Sequence, residues 1–390
     1  MDIYEEPYYI ITKGFASFIG QWPYQSRKQS IMFGSIMWSL FILQVIPQVV
    51  SVALHYDDEE LLFESLSPFI TDLIFIAKYV NMKTLFDKIK DDWKILKNDQ
   101  EKSILENHML TARYISLCWT AFVNLTVMVF LMDPILPIII NHIQKPNESL
   151  PVRFCVPMEY VIIDEEKYYW LLFSFSSICV VFIIMVIICC DIIFISLVQH
   201  VCGIFAVVGF RIENSPTVDL SRKMLTGSRF GINSRDIHYK HFVSCIRDHR
   251  RALEFADLIE ATFTGCFGIV VGLNLPLMSI TAVQIMTQSQ SIQDTVKYIM
   301  FTFAQMIHLF FDCYMSQRLT DMSAHIHQCI ARAKWYENSA RSRKLLVLMT
   351  LRSQIPCKLT AGKVMELSIE TFGVYLKTAG SYVTVLLSMR

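Results

Sequence analysis

Seven polar residues near the C-terminal end have the types and spacing most able to do chemistry. Lys363, Glu366, Glu370, Lys377, Ser381, Thr384 and Ser388 recur at intervals of three, four or seven, which predicts one side of a helix. The stretch that carries them, Gly362 to Leu387, is otherwise apolar, so a polar stripe through it has to face protein or water. Two arrangements satisfy it: pairing inside a helix bundle, with Glu370 answering Lys377, or an aqueous path shared between symmetry-related copies. One turn beyond Ser381, apolar Val385 and Leu386 could close such a path by dewetting. Two other groups offer metal ligands. His238 and His241 precede Cys245, and His325 and His327 precede Cys329. Neither matches a zinc spacing and both lie in basic stretches that repel a cation, so they read as solvated or packed loop residues. There is no Gly-rich phosphate loop, no serine nucleophile elbow and no HExxH. The sequence therefore offers no enzymatic chemistry and calls for no metal or cofactor.

The elements that must position the stripe follow from composition. Of 390 residues, 53% are apolar and 18% charged, against roughly 45–50% and about 25% in average soluble chains. Lysine plus arginine equals aspartate plus glutamate at 35 each, which removes a global electrostatic case for nucleic-acid binding. A helix needs about 20 apolar residues to cross a bilayer. Ile31 to Leu54, Tyr114 to Ile140, Tyr168 to Cys190 and Ala261 to Gln293 meet that need with almost no charge. Leu61 to Val80, Thr295 to Gln317 and Gly362 to Leu387 are weaker, because they contain Glu64, Asp72, Lys78, Lys297, Asp312 and the stripe itself. Each central charge costs roughly 2.5–3.5 kcal/mol, so these spans need neighbours or water.

Seven spans put the termini on opposite sides. With the N-terminus inside, 27 lysines and arginines fall in inner segments and 4 in outer ones, which predicts a cytoplasmic N-terminus and an extracellular C-terminus. The sequon at Asn147 lies in the expected outer loop, whereas the one at Asn124 lies inside a span and should go unused. Met1 to Ser30 lacks the continuous apolar core of a cleavable signal peptide. Only Cys155 of the eleven cysteines is expected outside, which excludes an intrachain extracellular disulfide framework. From Tyr168 the apolar pattern runs to about Phe210 without proline, about 60 Å of helix, so the fourth helix should project well into the cytoplasm. Apolar stripes at Leu85, Ile89, Trp93 and Leu96, at Phe242, Ile246, Leu253 and Leu258, and at Leu345, Leu348, Met349 and Ile355 predict inner helices, either packed within one subunit or joining subunits. Asp133-Pro134 and Asn274-Leu275-Pro276 mark expected helix ends or kinks.

The whole pattern resembles a known family. The run Leu359-Thr360-Ala361-Gly362-Lys363, through Ser368-Ile369-Glu370-Thr371-Phe372, to Ser381-Tyr382 and Leu386-Leu387-Ser388 is similar to the C-terminal end of insect odorant receptors. Ile246-Arg247-Asp248-His249 to Ala261-Thr262-Phe263 resembles that family's entry to the fifth span, and Phe311-Asp312-Cys313-Tyr314 the end of its sixth. The resemblance implies an all-α membrane protein of seven transmembrane helices that forms one subunit of a tetrameric, ligand-gated, non-selective cation channel. The chain lacks the long insertion between the fourth and fifth spans that marks the olfactory co-receptor, so it resembles the odorant-tuning subunit that joins the co-receptor in a heterotetramer. By the same resemblance Tyr382 and Val385 fall on pore-lining positions, with Val385 at the hydrophobic gate. Ser388 departs from the glutamine found there in the co-receptor and many gustatory relatives.

The implied division is a cytoplasmic segment at 1–30, six spans with an odorant pocket in their outer half at 31–317, a cytoplasmic anchor at 318–361 together with 191–260, and a pore-lining helix at 362–390. Pocket residues follow from depth on the second, third, fourth and sixth spans: Phe69, Leu73, Thr126, Val129, Trp170, Phe173, Ser177, Tyr298, Phe301 and Thr302. Apolar and aromatic walls with few hydroxyls suit a small volatile with one polar group. The expected setting is the plasma membrane of an olfactory sensory neuron dendrite, in contact with lipid and with no nucleic-acid partner. Three other classes stay open at this stage. A G-protein-coupled receptor would need the opposite orientation and shows neither a DRY-like motif nor NPxxY here; a gustatory-type receptor channel would share the architecture; a secondary transporter should show an inverted repeat, which is missing.

Overall fold

The structure is a computed structural model that describes residues 3–56, 59–77, 82–144, 154, 156, 167–215, 231–287 and 292–388. Its regular elements are helices apart from one small hairpin: α1 (Ile10–Phe18), α2 (Arg27–Leu54), α3 (Glu59–Ala77), α4 (Lys83–Trp93), α5 (Asp99–Met132), α6 (Ile135–Gln144), α7 (Tyr169–Glu213), α8 (Gly231–Thr287), α9 (Ile292–Arg332), α10 (Ala340–Ser353), strands β1 (Thr360–Ala361) and β2 (Met365–Glu366), and α11 (Ile369–Ser388). Among the described residues, α2, α5, α7 and the part of α8 from His238 to Met286 are long and apolar enough to cross a membrane. The three weaker spans are also helical, as α3, α9 and α11.

Local chemistry sets several of the boundaries. Ser26 and Ser339 cap α2 and α10 by accepting from the amides of Gln29 and Ser342, and Ser368 accepts from Thr371 at the start of α11. The chain breaks between α5 and α6 at Asp133-Pro134, as the sequence suggests: Asp133 keeps helical backbone angles, but Pro134 has no N–H to continue the ladder. Pro276 behaves differently and lies inside an unbroken α8. Since an expected helix end is missing there, the carbonyl freed by proline has to be accommodated within the packed bundle.

The core is built around α7. At 45 residues, about 67 Å, it is more than twice the thickness of a bilayer's hydrocarbon layer. Almost every side chain from Ile188 to Phe205 is buried, because α5, α8 and α9 pack around it on several sides. The segment before α2 closes one end of this core with an aromatic cluster in which Tyr4 meets Tyr9, Trp22 and Phe86 at ring distances of 5.3, 5.1 and 5.8 Å.

The same end holds a buried charge network. Arg211, near the C-terminus of α7, grips both oxygens of Glu101 on α5 at 2.8 and 2.6 Å and one oxygen of Asp248 on α8 at 2.6 Å. Burial alone would raise the Glu101 carboxyl, but the Arg211 guanidinium and the Lys97 amide outweigh it and hold the group below the usual carboxylate range. One residue further along α8, His249 is buried against Phe205. Burial, reinforced by the positive charge of Arg352, depresses its imidazole to about 4.

One expectation about a single element needs correction. Lys363 and Glu366 do not lie on the last helix. Gly362 and Lys363 both adopt positive φ, the chain folds back, and β1 pairs antiparallel with β2. Glu366 then pairs with Lys358 across the hairpin instead of continuing a helical stripe. In the stripe before the hairpin, Met349 is buried with Leu346 in α10, but Leu348 and Ile355 point outward with Val347 and Leu351. An isolated periodicity could not show which apolar face of α10 the subunit itself would cover.

Candidate functional site

α2, α3, α5, α7, α8 and α9 enclose a cavity of about 210 Å³. Each wall comes from helical spacing. α5 contributes Trp119, Phe122, Val123, Thr126, Val127, Val129 and Phe130; α7 contributes Val180, Ile183, Ile184 and Ile187; α9 contributes Tyr298, Phe301, Gln305 and His308. Glu64, Ser67, Pro68, Thr71 and Asp72 bring one side of α3 to the same space. Most of this surface is apolar and aromatic, and Phe301 also packs against the buried cluster that contains Ile70 and Ile74 of α3.

Three polar groupings interrupt it. Lys297 pairs with Asp133 at 2.9 Å and lies over the ring of Phe130 at 5.3 Å. His308 approaches Asp191 on α7 at 3.4 Å and Asp312 one turn along α9 at 3.9 Å. Trp119 fixes that corner, because its indole N–H donates to Asp191 at 3.1 Å and its ring stacks on His308 and Phe311 at 5.8 and 5.2 Å. Facing ligand atoms of Asp191, His308 and Asp312 lie within 4.8 Å of one another. On the third side, the Gln44 amide of α2 donates to Asp72 at 3.4 Å.

Of the ten residues nominated by depth, Thr126, Val129, Tyr298 and Phe301 come together on this wall. Phe69, Leu73, Trp170, Phe173, Ser177 and Thr302 do not line it. Trp170 is 61% exposed, Phe173 packs beside Val156 and Val180, and the Thr302 hydroxyl bonds Thr281 on α8 at 3.0 Å. Depth fixes a level along a helix but not the side it presents, and on α7 the cavity begins beyond Ser177, at Val180. The residues that sequence reasoning missed are mainly Gln44, Glu64, Asp72, Trp119, Lys297 and His308. Glu64, Asp72 and Lys297 did carry a signal, since they are the charges that weakened their spans.

α11 presents a second candidate surface. Tyr375 and Ala379 face the bundle, and the Tyr375 hydroxyl donates to the Val271 carbonyl of α8 at 3.0 Å. Further along the helix Ser381, Tyr382, Thr384, Val385 and Ser388 are exposed; Tyr382 and Val385 each leave 52% of their surface open. The hydroxyls of Ser381, Thr384 and Ser388 bond carbonyls of their own helix, so this face needs no polar partner within the subunit. The hairpin anchors its base. Glu260 of α8 accepts from the Thr360 amide at 2.8 Å, the Gly362 amide donates to the Thr264 carbonyl at 2.8 Å, and a Cβ on Gly268 would sit 2.9 Å from the Gly362 Cα. The sequon residue Asn147 lies outside the described residues.

The sequence model of the 7tm Odorant receptor family matches residues 60–380, most of the chain. The chain belongs to that family. The receptor is 25% identical over 195 residues to Odorant receptor 22a of Drosophila melanogaster, a match covering 50% of this chain and 48% of that one. It is 28% identical over 137 residues to Odorant receptor 67a of the same species, covering 34% and 32%. The odorant receptor chain thus aligns with about half the length, or less, of these curated relatives. In structure it is similar to the insect olfactory receptor OR5 of Machilis hrabei. The TM-score is 0.78 against its complex with eugenol, at 12% identity over 98% of this chain and 96% of that one, and 0.76 against OR5 alone, over 98% of both. The fold is therefore that of the olfactory receptors, and the family is one of receptors, which agrees with a sequence that carries no enzymatic motif.

Proposed function

We propose that this chain is the odorant-tuning subunit of a ligand-gated, non-selective cation channel formed with olfactory co-receptor subunits in a heterotetramer. A small volatile would bind in the cavity and α11 would line the pore. The observation that carries this reading is the path between the two. α9 supplies Tyr298, Phe301, Gln305 and His308 to the cavity, and less than one turn beyond His308 it presses Phe310 against Phe372 of α11 at 5.4 Å. A ligand that shifts α9 shifts the helix that bears Tyr382 and Val385.

The rest of the reading follows from the same parts. The N-terminus is cytoplasmic, because the 27 inner bases outnumber the 4 outer ones. Residues 1–30 form the inner N-terminal segment, 31–317 the spans and pocket, 191–260 with 318–361 the anchor, and 362–390 the pore element, of which the hairpin is the base. Val385 closes the pore, Ser381, Tyr382, Thr384 and Ser388 line it, and Asn147 carries a glycan. The pocket uses Thr126, Val129, Tyr298 and Phe301 among its contacts. That OR5 is seen with eugenol supports a compact volatile as the class of ligand. The receptor acts in the plasma membrane of a sensory dendrite.

The test is co-expression with the co-receptor and patch recording against a panel of volatiles. Ligand-evoked cation current is the expected result. Silence to the panel from receptors shown at the cell surface rules the proposal out.

A further inference from the structure

The polar groups on the cavity wall narrow the class of ligand. Asp72 is 4% exposed and lines the cavity. It accepts a hydrogen bond from the Gln44 amide at 3.4 Å. Among the described residues, no lysine, arginine or histidine forms an ion pair with it. The two basic side chains on the wall are engaged elsewhere, Lys297 by Asp133 and His308 by Asp191 and Asp312. Beside the carboxylate, Gln44 is itself 1% exposed, and its Oε1 is buried with no hydrogen-bond partner. A carboxyl group without a cationic partner among the described residues and an unused carbonyl oxygen thus share one corner of an apolar cavity.

An acid in a membrane bundle has to be neutralised by a proton or by a cation. A volatile amine supplies the second by an exchange that balances in place. It enters as the uncharged free base, its nitrogen lone pair takes the proton of the Asp72 carboxyl as the O–H bond breaks, and an ammonium is left against a carboxylate. Neither charge crosses the apolar wall. The new ammonium has a further N–H for Gln44 Oε1, and the rings of Trp119, Phe122 and Phe130 on the same wall offer faces to its substituents. An alcohol or ester of the same shape cannot form this pair.

We propose that the cavity selects volatile amines, holding the nitrogen between the Asp72 carboxylate and Gln44 Oε1. This rests on the reading of the cavity as the gating site of a channel. The test compares hexylamine, hexanol and hexyl acetate, and phenethylamine with phenethyl alcohol, on receptors co-expressed with the co-receptor, with surface labelling of every variant. Each amine should activate at roughly tenfold lower concentration than its alcohol, the effect of one charge-assisted hydrogen bond. Asp72→Asn should erase that preference and Asp72→Glu should restore part of it. If Asp72→Asn does not reach the surface, Gln44→Leu serves instead, with a severalfold greater loss for amines than for alcohols. Equal potency of amine and alcohol, or an unchanged amine preference in the substituted receptors, overturns amine selection while leaving the channel reading intact if neutral compounds evoke current. Silence to all five compounds and to the wider panel, from receptors at the surface, overturns both.

Discussion

Mild acid should loosen the Arg211 end of the bundle through His249. The folded protein holds this imidazole at about 4 because it is buried, with Arg352 adding to the effect, whereas an unfolded histidine titrates near 6.5. Between those values the unfolded chain binds a proton that the folded chain refuses, so stability falls as pH drops through 6.5 and stops falling near 4. From pH 7.5 to pH 5.0 the two values give a loss of about 2 kcal/mol. His108, also depressed by burial, acts in the same direction, while Glu101, held below its ordinary range, enters only in stronger acid. The perturbation that isolates this effect is His249→Gln, which keeps a neutral polar side chain beside Phe205 and removes the titration. At about 2.1 cal/mol/K per residue for unfolding, 2 kcal/mol is about 2 to 3 °C in a chain of this length. Thermal unfolding in detergent at pH 7.5 and 5.0 measures it. The wild type should lose those degrees relative to the variant, and parallel pH dependence in the two proteins would refute the assignment.

Three further outcomes follow from named contacts. Gly268→Ala places a Cβ 2.9 Å from the Gly362 Cα, and since both sides are backbone the hairpin has to move, at about 1–3 kcal/mol; Gly265→Ala, which meets nothing within 4 Å, should leave the melting temperature unchanged or slightly raised. Arg211→Met strands Glu101 and Asp248 as uncompensated buried carboxylates and should cost about 3–5 kcal/mol, read as lost monodisperse protein in size-exclusion chromatography, with recovery when Glu101→Gln and Asp248→Asn are added. Val385→Ala should change gating or permeation while the complex still assembles, because the side chain is half exposed on α11 and leaves the bundle contacts of Tyr375 and Ala379 untouched; identical currents with intact assembly would remove Val385 from the gate.

Helix existence was legible because hydrophobic runs obey a length rule that needs no tertiary information. The long α7, projected from its proline-free apolar pattern to about Phe210, ends at Glu213. What escaped the reading depends on rotation or on contact between distant segments. The inner helix expected at Phe242, Ile246, Leu253 and Leu258 and the span expected from Ala261 are one continuous α8, which starts at Gly231, and two separate apolar patterns could not show that they join. Lys363 and Glu366 fitted a helical period by coincidence, and the hairpin that claims them is fixed by Glu260 and Thr264 on another helix. The corner of Asp191, His308 and Asp312 joins α7 to α9 across more than a hundred residues, so only the i,i+4 pair within α9 could have been seen. Arg211, Glu101 and Asp248 are likewise three separate charges until the bundle closes.

The length of α9 ties these regions together. It runs unbroken for 41 residues, with Lys297, Tyr298 and Phe301 at the cavity, His308 in the acidic corner and Phe310 on Phe372 of α11. Three turns further, the Thr320 hydroxyl donates to the Cys357 carbonyl at 2.9 Å, and Ser323 accepts from the Cys357 amide at 2.9 Å, just before the hairpin begins. A continuous helix resists bending more than it resists tilting, since a bend lengthens backbone hydrogen bonds while a tilt leaves them intact. A ligand that displaces α9 at Phe301 would therefore tilt it about the segment bonded to Cys357. Phe310 lies between that pivot and the cavity, so it moves in the same direction as the cavity wall and by a smaller amount. The lever is short and packed on both sides, which suits a two-state shift of α11 better than a graded one, because close-packed interfaces move between discrete arrangements.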